Sequence, residues 1–157
     1  MPDKVTHEQN NFSVHIGSEK WHQAAAFYVR LDVFVLEREI ALADEFDADD
    51  HDDMIYIVIY DGKKPVATGR FIQEDETTIR PGRIAVLKDY RGRGLGERII
   101  HEMEDYSKNN GCTKSVIHGE LSAAGFYEKI GYNRTSDVYE EDGVPCVTLK
   151  KALESIS

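Results

Sequence analysis

The sequence is poor in residues that would tie a chain together covalently or through a metal. Its 157 residues include only two cysteines, Cys112 and Cys146, far apart and outside any CxxC or Cys-His spacing. That excludes a zinc ribbon or a disulfide framework and predicts two reduced, structural thiols. No apolar run approaches the roughly eighteen residues needed to cross a bilayer, so no membrane role is expected. The opening MPDKVTHEQNN has neither the basic start nor the apolar core of a secretion signal, and a cytoplasmic location is the expectation. Positive charge is also scarce. With 19 Lys and Arg against 29 Asp and Glu, the net charge is −10. General affinity for nucleic acid or anionic membranes needs cationic surface and is therefore not expected.

The positive charge that does occur is gathered in one place. From Arg80 to Arg98, six basic residues (Arg80, Arg83, Lys88, Arg91, Arg93, Arg98) meet two acidic ones (Asp89, Glu97), a local +4 that leaves −14 for the rest. Within it, RIAVLKDYRGRGLG from Arg83 to Gly96 is an apolar strand-like run, a charged turn, and glycines at 92, 94 and 96. Glycines where a loop becomes a helix let the backbone approach a ligand and turn free N–H groups toward an anion. This outlines a pyrophosphate site and suits a small polyanion better than a polymer.

Competing motifs fail on their spacing. Glu97 stands where a dinucleotide-binding GxGxxG needs its third glycine, and no GxxxxGK[ST] occurs. His101-Glu102 begins an HExxH, but Asp105 takes the second histidine position. The acidic segment Asp44 to Asp53 lacks the central glycine and final glutamate of a calcium loop, and no metal is expected.

Periodicity predicts a strand at Phe12 to Ile16, then a helix capped by Ser18 that runs to Arg38. The acidic segment reads as an exposed loop that no core could absorb. Strands follow at Met54 to Tyr60, Pro65 to Gln73 and Thr77 to Val86, the last interrupted near Pro81-Gly82. Asp61-Gly62 marks a hairpin turn between the first two. A helix is predicted from Gly94 to Asn109 with Asn110-Gly111 as its C-cap. Next come a strand at Lys114 to His118, a helix at Ser122 to Lys129, and strands at Tyr132 to Tyr139 and Val144 to Leu149 around Asp142-Gly143. The result is one mixed α/β domain spanning 1–157, with 1–11 and 151–157 loosely held.

The R-x-x-G-x-G pattern at Arg91, Gly94 and Gly96, between a strand ending Ile84-Ala85-Val86 and a helix, resembles the acetyl-CoA-binding motif of the GNAT acetyltransferases. A second segment, Gly125 to Tyr132 (GFYEKIGY), is similar to the family's FYxxxGF/Y. The run VRLDVFVLERE followed by acidic residues resembles the small bacterial ElaA-like and YjcF-like branch. The resemblance implies a mostly antiparallel sheet of six to seven strands flanked by about four helices, splayed at a parallel pair, the strand ending at Val86 and the strand Lys114 to His118. It also implies acetyl-CoA as cosubstrate, a small-molecule or peptide amine as acceptor, direct transfer in a ternary complex, and a homodimer as a family expectation.

Residue by residue, the resemblance assigns the pantetheine arm to Ile84, Ala85 and Val86, and the diphosphate to Arg91, Gly92, Arg93, Gly94, Leu95 and Gly96. Ser122 and Phe126 fall at further cofactor positions. Tyr127 takes the place of the phenol near the CoA sulfur, where it can donate a proton to the departing thiolate; packing beside Phe126 is the alternative. For the base that deprotonates the amine, Glu120 and His118 come first, then Glu39 and Glu37. No carboxylate lies between Thr77 and Lys88, so that strand supplies none. The acidic segment either draws a cationic amine toward the site or is simply solvated. A non-catalytic acyl-CoA sensor or interaction protein on the same fold remains the alternative function.

Overall fold

The computed structural model describes residues 11–154. The strands are β1 (Phe12–Gly17), β2 (Tyr56–Asp61), β3 (Lys64–Gln73), β4 (Thr78–Val86), β5 (Lys114–Glu120), β6 (Asn133–Arg134), β7 (Tyr139–Glu141) and β8 (Val144–Ala152). The helices are α1 (Lys20–Arg30), continued by a π-helical stretch Leu31–Glu37, then α2 (Leu42–Glu45), α3 (Leu95–Asn109) and α4 (Ala124–Lys129). The strands follow the sheet order β1-β2-β3-β4-β5-β8-β6, with β7 on β8. The one parallel pairing recorded among the described residues is β4 with β5, at Thr78–Lys114 and Ile79–Ser115.

The eighth strand arises because the expected strand Tyr132 to Tyr139 is broken in two. Ser136 leaves the ladder, and its hydroxyl oxygen accepts the Thr148 N–H at 2.9 Å.

The chain divides into two compact units, the first running to Arg70 and resuming at Arg83–Ile100, the second holding Phe71–Gly82 and everything from His101. In the first, β2 buries Ile57, Val58 and Ile59 completely, and Ala26 and Val29 of α1 are equally buried. Alternation is lost in β2 because both of its faces are covered. In the second, Ile79, Met103, Ile117, Val147 and Leu149 form the core.

Several local expectations change. Ser18 does not cap α1; Glu19 is the capping residue, and its carbonyl accepts the N–H of His22 and Gln23. β5 extends two residues beyond His118 and takes in Glu120, opposite Cys146. β4 is not broken at Pro81-Gly82; its irregularity falls on Arg83, at φ 52°. β8 reaches Ala152 and Leu153 is buried, so the loose tail expected from 151 does not begin there. Residues 1–10 and 155–157 of the expected loose ends lie outside the described residues.

Two predicted turns hold. Asp142 and Gly143 both take positive φ, 51° and 79°, as a two-residue type I′ hairpin requires. Helix α3 ends with Gly111 at φ 88°, its N–H bonded to Lys108 O and that of Cys112 to Ser107 O, the paired bonds of a Schellman stop.

Candidate active site

In the first unit, β4 leaves the sheet through Leu87, whose N–H is held by Val66 O at 2.9 Å. A single turn, Lys88–Tyr90, leads to Arg91 and then to α3 at Leu95. Gly92 and Gly94 adopt φ 81° and 75°, where a side chain is strained, and a Cβ at either would meet nothing within 4 Å. The bend therefore needs glycine for its backbone, and the space above it is open. Gly94 O accepts the Arg98 N–H at 3.0 Å as the first helical bond of α3. The N–H groups at the start of α3 precede the first intrahelical donor and are oriented along the positive end of a fifteen-residue helix. Such a bend can hold a diphosphate.

Arg91, expected to meet phosphate, is engaged elsewhere. Its Nε donates to Val86 O at 3.0 Å, and its two terminal nitrogens form a fork with both oxygens of Glu37 at 2.7 Å each. The guanidinium lowers the Glu37 carboxyl below its ordinary value. Glu37 is consequently a poor proton acceptor and serves as a tether from the end of the first helix to the bend. Arg93 lies over the Tyr90 ring, 5.1 Å from its centroid, and the Tyr90 hydroxyl donates to Asp61 at 2.6 Å.

The acidic segment is mostly exposed, as expected, but two of its carboxylates are not solvated. Arg30 is 1% exposed, and Glu45 and Asp50 have only 3% and 5% of their side chains exposed. Arg30 donates from Nε to Glu45 Oε2 at 2.9 Å, and from its terminal nitrogens to Glu45 O and to both oxygens of Asp50. Phe27 and Phe46 lie against its guanidinium at 5.3 and 4.9 Å. Arg70 and the Tyr56 hydroxyl also donate to Asp50 Oδ1, at 2.6 and 2.9 Å. Burial would raise the Asp50 carboxyl, but Arg30, Arg70 and Tyr56 together hold it well below its ordinary value.

Arg83, in the left-handed region within β4, completes this network. Its terminal nitrogen donates to Asp47 Oδ2 at 3.2 Å, and its Nε lies 3.4 Å from Glu45 Oε2 without a well-aligned bond. A non-glycine residue held at such a φ costs on the order of 1–3 kcal/mol and persists only where its surroundings fix it. The segment Ile84–Val86 begins directly after this residue, with Ala85 buried.

In the second unit, Tyr127 of α4 packs against β5 at Gly119. A Cβ at Gly119 would lie 3.2 Å from Tyr127 Cε2, so the ring's position depends on the missing side chain. Phe126 and Tyr132 approach the ring edge-on at 5.2 and 6.1 Å. Burial first, and then the charge of Glu120, pushes the Tyr127 phenol up to about 12. It stays protonated at neutral pH and is a hydrogen donor.

His118 and Glu120 flank Gly119 in the strand, so alternation sends them to the face opposite Tyr127. There the exposed His118 lies 3.2 Å from the Tyr139 hydroxyl through Nδ1. Ser122 is exposed on the turn Leu121–Ala123, and Phe126 is largely exposed. Beneath Tyr127, the Tyr132 hydroxyl donates to Glu104 at 2.8 Å and bonds Ser115 Oγ at 2.8 Å, while Lys151 donates to Glu104 at 3.0 Å. Both cysteines are free and buried, and burial raises their thiols. No group of three or more potential metal ligands occurs among the described residues, and no helix there is long and apolar enough to cross a membrane.

Three contributions escaped the sequence reading. Glu37 pairs with Arg91 across 54 residues, and Glu45 and Asp47 reach Arg83 from far upstream; no local pattern signals either. Gly119 did carry a signal, since a glycine inside a strand marks a close approach.

Within the first unit, β4 runs into a glycine bend at a helix N-terminus; within the second, a half-buried phenol stands on a strand–helix unit. The model of the GNAT acetyltransferase domain matches residues 52–134. An uncharacterized acetyltransferase of Streptococcus pyogenes is 39% identical over 112 residues, 71% of this chain and 77% of its own. A crystal structure from Lactobacillus plantarum, described as that of an N-acetyltransferase, superposes with a TM-score of 0.88 at 37% identity, covering 91% of this chain and 99% of the other. Escherichia coli ElaA shares the fold, with a TM-score of 0.77 at 21% identity over 89% of this chain and 99% of its own. The chain belongs to the GNAT acetyltransferase family.

Proposed function

We propose that this acetyltransferase takes its acyl group from acetyl-CoA and gives it to a primary amine of a small molecule or peptide by direct attack in a ternary complex. The observation that carries the reading is the open glycine bend, in which Gly92 and Gly94 adopt left-handed φ with free space above them. A fold neighbour, an aminoglycoside 6'-N-acetyltransferase with a TM-score of 0.72 at 12% identity, was solved with coenzyme A. That supports the cofactor class.

Acetyl-CoA would supply the activated thioester. Of the main-chain N–H groups from Arg91 to Gly96, that of Arg91 is held by Lys88 O at 3.3 Å, and those of Gly92 to Gly96 bind its diphosphate. Because Arg91 is already forked to Glu37, the side chain braces the bend and leaves phosphate to the backbone. Ile84, Ala85 and Val86 offer main-chain groups to the pantetheine arm, with Ser122 and Phe126 as further cofactor contacts. Tyr127, protonated to about pH 12, donates to the departing sulfur. An amine of ordinary pKa near ~10 must first lose a proton. Glu120, whose charge is felt at Tyr127, and His118 are the groups assigned to take it, through water because both leave the strand on the face opposite Tyr127.

Isothermal titration with CoA, followed by a thiol-release assay with acetyl-CoA over an amine panel, tests this. Binding with turnover on at least one amine is expected. Absence of CoA binding overturns the reading, and binding without turnover across the panel favours an acyl-CoA sensor.

A further inference from the structure

The acidic segment, which the sequence offers as an electrostatic lure for amines, spends its best-placed carboxylates on arginines. Arg30 fixes Glu45 through both the side chain and the backbone carbonyl, at 2.9 and 2.7 Å. Arg70 reaches Asp47 and Asp50 from β3. Anchored in this way, Glu45 and Asp47 present oxygens to one further residue, Arg83, at 3.4 and 3.2 Å. Arg83 is the only non-glycine residue within a strand among the described residues to carry a positive φ, and Ile84–Val86 begins immediately after it.

We infer that Arg83, held by Glu45 and Asp47, is a positioning residue: its ion pairs keep β4 in the left-handed kink that aims the backbone of Ile84–Val86 at the pantetheine arm of the acyl carrier. This rests on the acetyl-CoA reading above. The logic is conformational. A left-handed φ is unfavourable for any residue with a Cβ and costs glycine nothing. An arginine there needs an external hold, and two carboxylates on an independently braced segment provide it. The guanidinium acts through the backbone it fixes and makes no claim on the substrate.

The test uses the full chain, with CoA and its nucleotide half, 3'-phospho-ADP, as calorimetric probes. Arg83→Ala loses the hold but keeps the Cβ. Its CoA affinity should fall about five- to thirtyfold, while 3'-phospho-ADP affinity stays within about twofold because the glycine bend is untouched. Arg83→Gly, which accepts the kink without strain, should recover CoA binding to within about threefold of wild type. Asp47→Asn, a change at a half-exposed carboxylate that leaves the buried pairs in place, should weaken CoA in the same selective way and serves if Arg83→Ala does not fold.

Wild-type affinity for CoA in Arg83→Ala, or equal weakness in the glycine and alanine variants, would overturn the inference. Equal loss of both probes would do the same. If the wild-type chain itself binds no CoA, it is the functional reading that fails.

Discussion

Arg30 in the first unit and Tyr132 in the second are both large polar side chains sealed from solvent, and they are satisfied by different means. Around Arg30 the solution is ionic, with Arg30, Arg70 and Arg83 set against Glu45, Asp47 and Asp50. Around Tyr132 it rests mainly on hydroxyls, with Ser115 and Tyr132 satisfying one another and a single Glu104–Lys151 pair alongside. Ionic networks fix direction strongly and are costly when one member is lost. Hydroxyl networks tolerate loss better and keep their protons. On the acetyl-CoA reading proposed above, the first unit carries the segments to be aimed, Ile84–Val86 and the glycine bend, and the second carries the phenol that is to stay protonated.

The largest expected effect isolates the bend from both networks. Gly94→Asp puts a strained, like-charged side chain into the anion cradle, and titration calorimetry should find no CoA binding while the melting temperature falls only by the roughly 2–8 °C that about 1–2 kcal/mol of backbone strain implies. Undiminished affinity would remove the bend from the site.

Next is the ionic network itself. Asp50→Asn leaves Arg30 and Arg70 short of a buried counter-charge and should cost about 3–5 kcal/mol in denaturant unfolding, whereas Ser115→Ala should cost about 1–3 kcal/mol. Equal costs would erase the contrast between the units.

On the catalytic side, Tyr127→Phe should reduce turnover by about a hundredfold with CoA affinity unchanged, as loss of a donor used only in the reaction requires. Full activity would make Tyr127 a packing residue.

The smallest effect concerns pH. Asp50 has a folded pKa lowered from 3.8, so its stabilisation is complete above that value and fades as pH falls toward the folded one. The stability gap between wild type and Asp50→Asn should therefore narrow in unfolding curves recorded from pH 6 down to pH 3. A constant gap would mean that the loss in the variant is not one of charge.

What could be read in the sequence was what depends on neighbours. The turn at Asp142-Gly143, the stop at Gly111 and the backbone of Gly92 and Gly94 follow from residue type and local spacing, and their φ values agree. The exposure of most of the acidic segment was legible from its charge density; the burial of Glu45 and Asp50 was not, because their partners Arg30, Arg70 and Arg83 come from a helix and two strands distant in the chain. Arg91 was given to phosphate because the motif implies an anion nearby, and the anion that holds it proves to be Glu37. The same locality explains the separation of Tyr127 from His118. Sequence order puts His118 beside Gly119, the fold returns Tyr127 to the same glycine, and strand alternation then divides them between faces.

The widened turn at Leu31–Glu37, where Arg38 N–H reaches back five residues to Val33 O, bears on how much change in length the first helix can absorb. A π turn accommodates one residue more than an α turn within the same advance, so it behaves as an absorbed insertion. A homologue one residue shorter here could run as plain α-helix and still deliver a carboxylate to the arginine that begins the glycine bend. Deleting one residue within this stretch is expected to leave the Glu37–Arg91 brace in place.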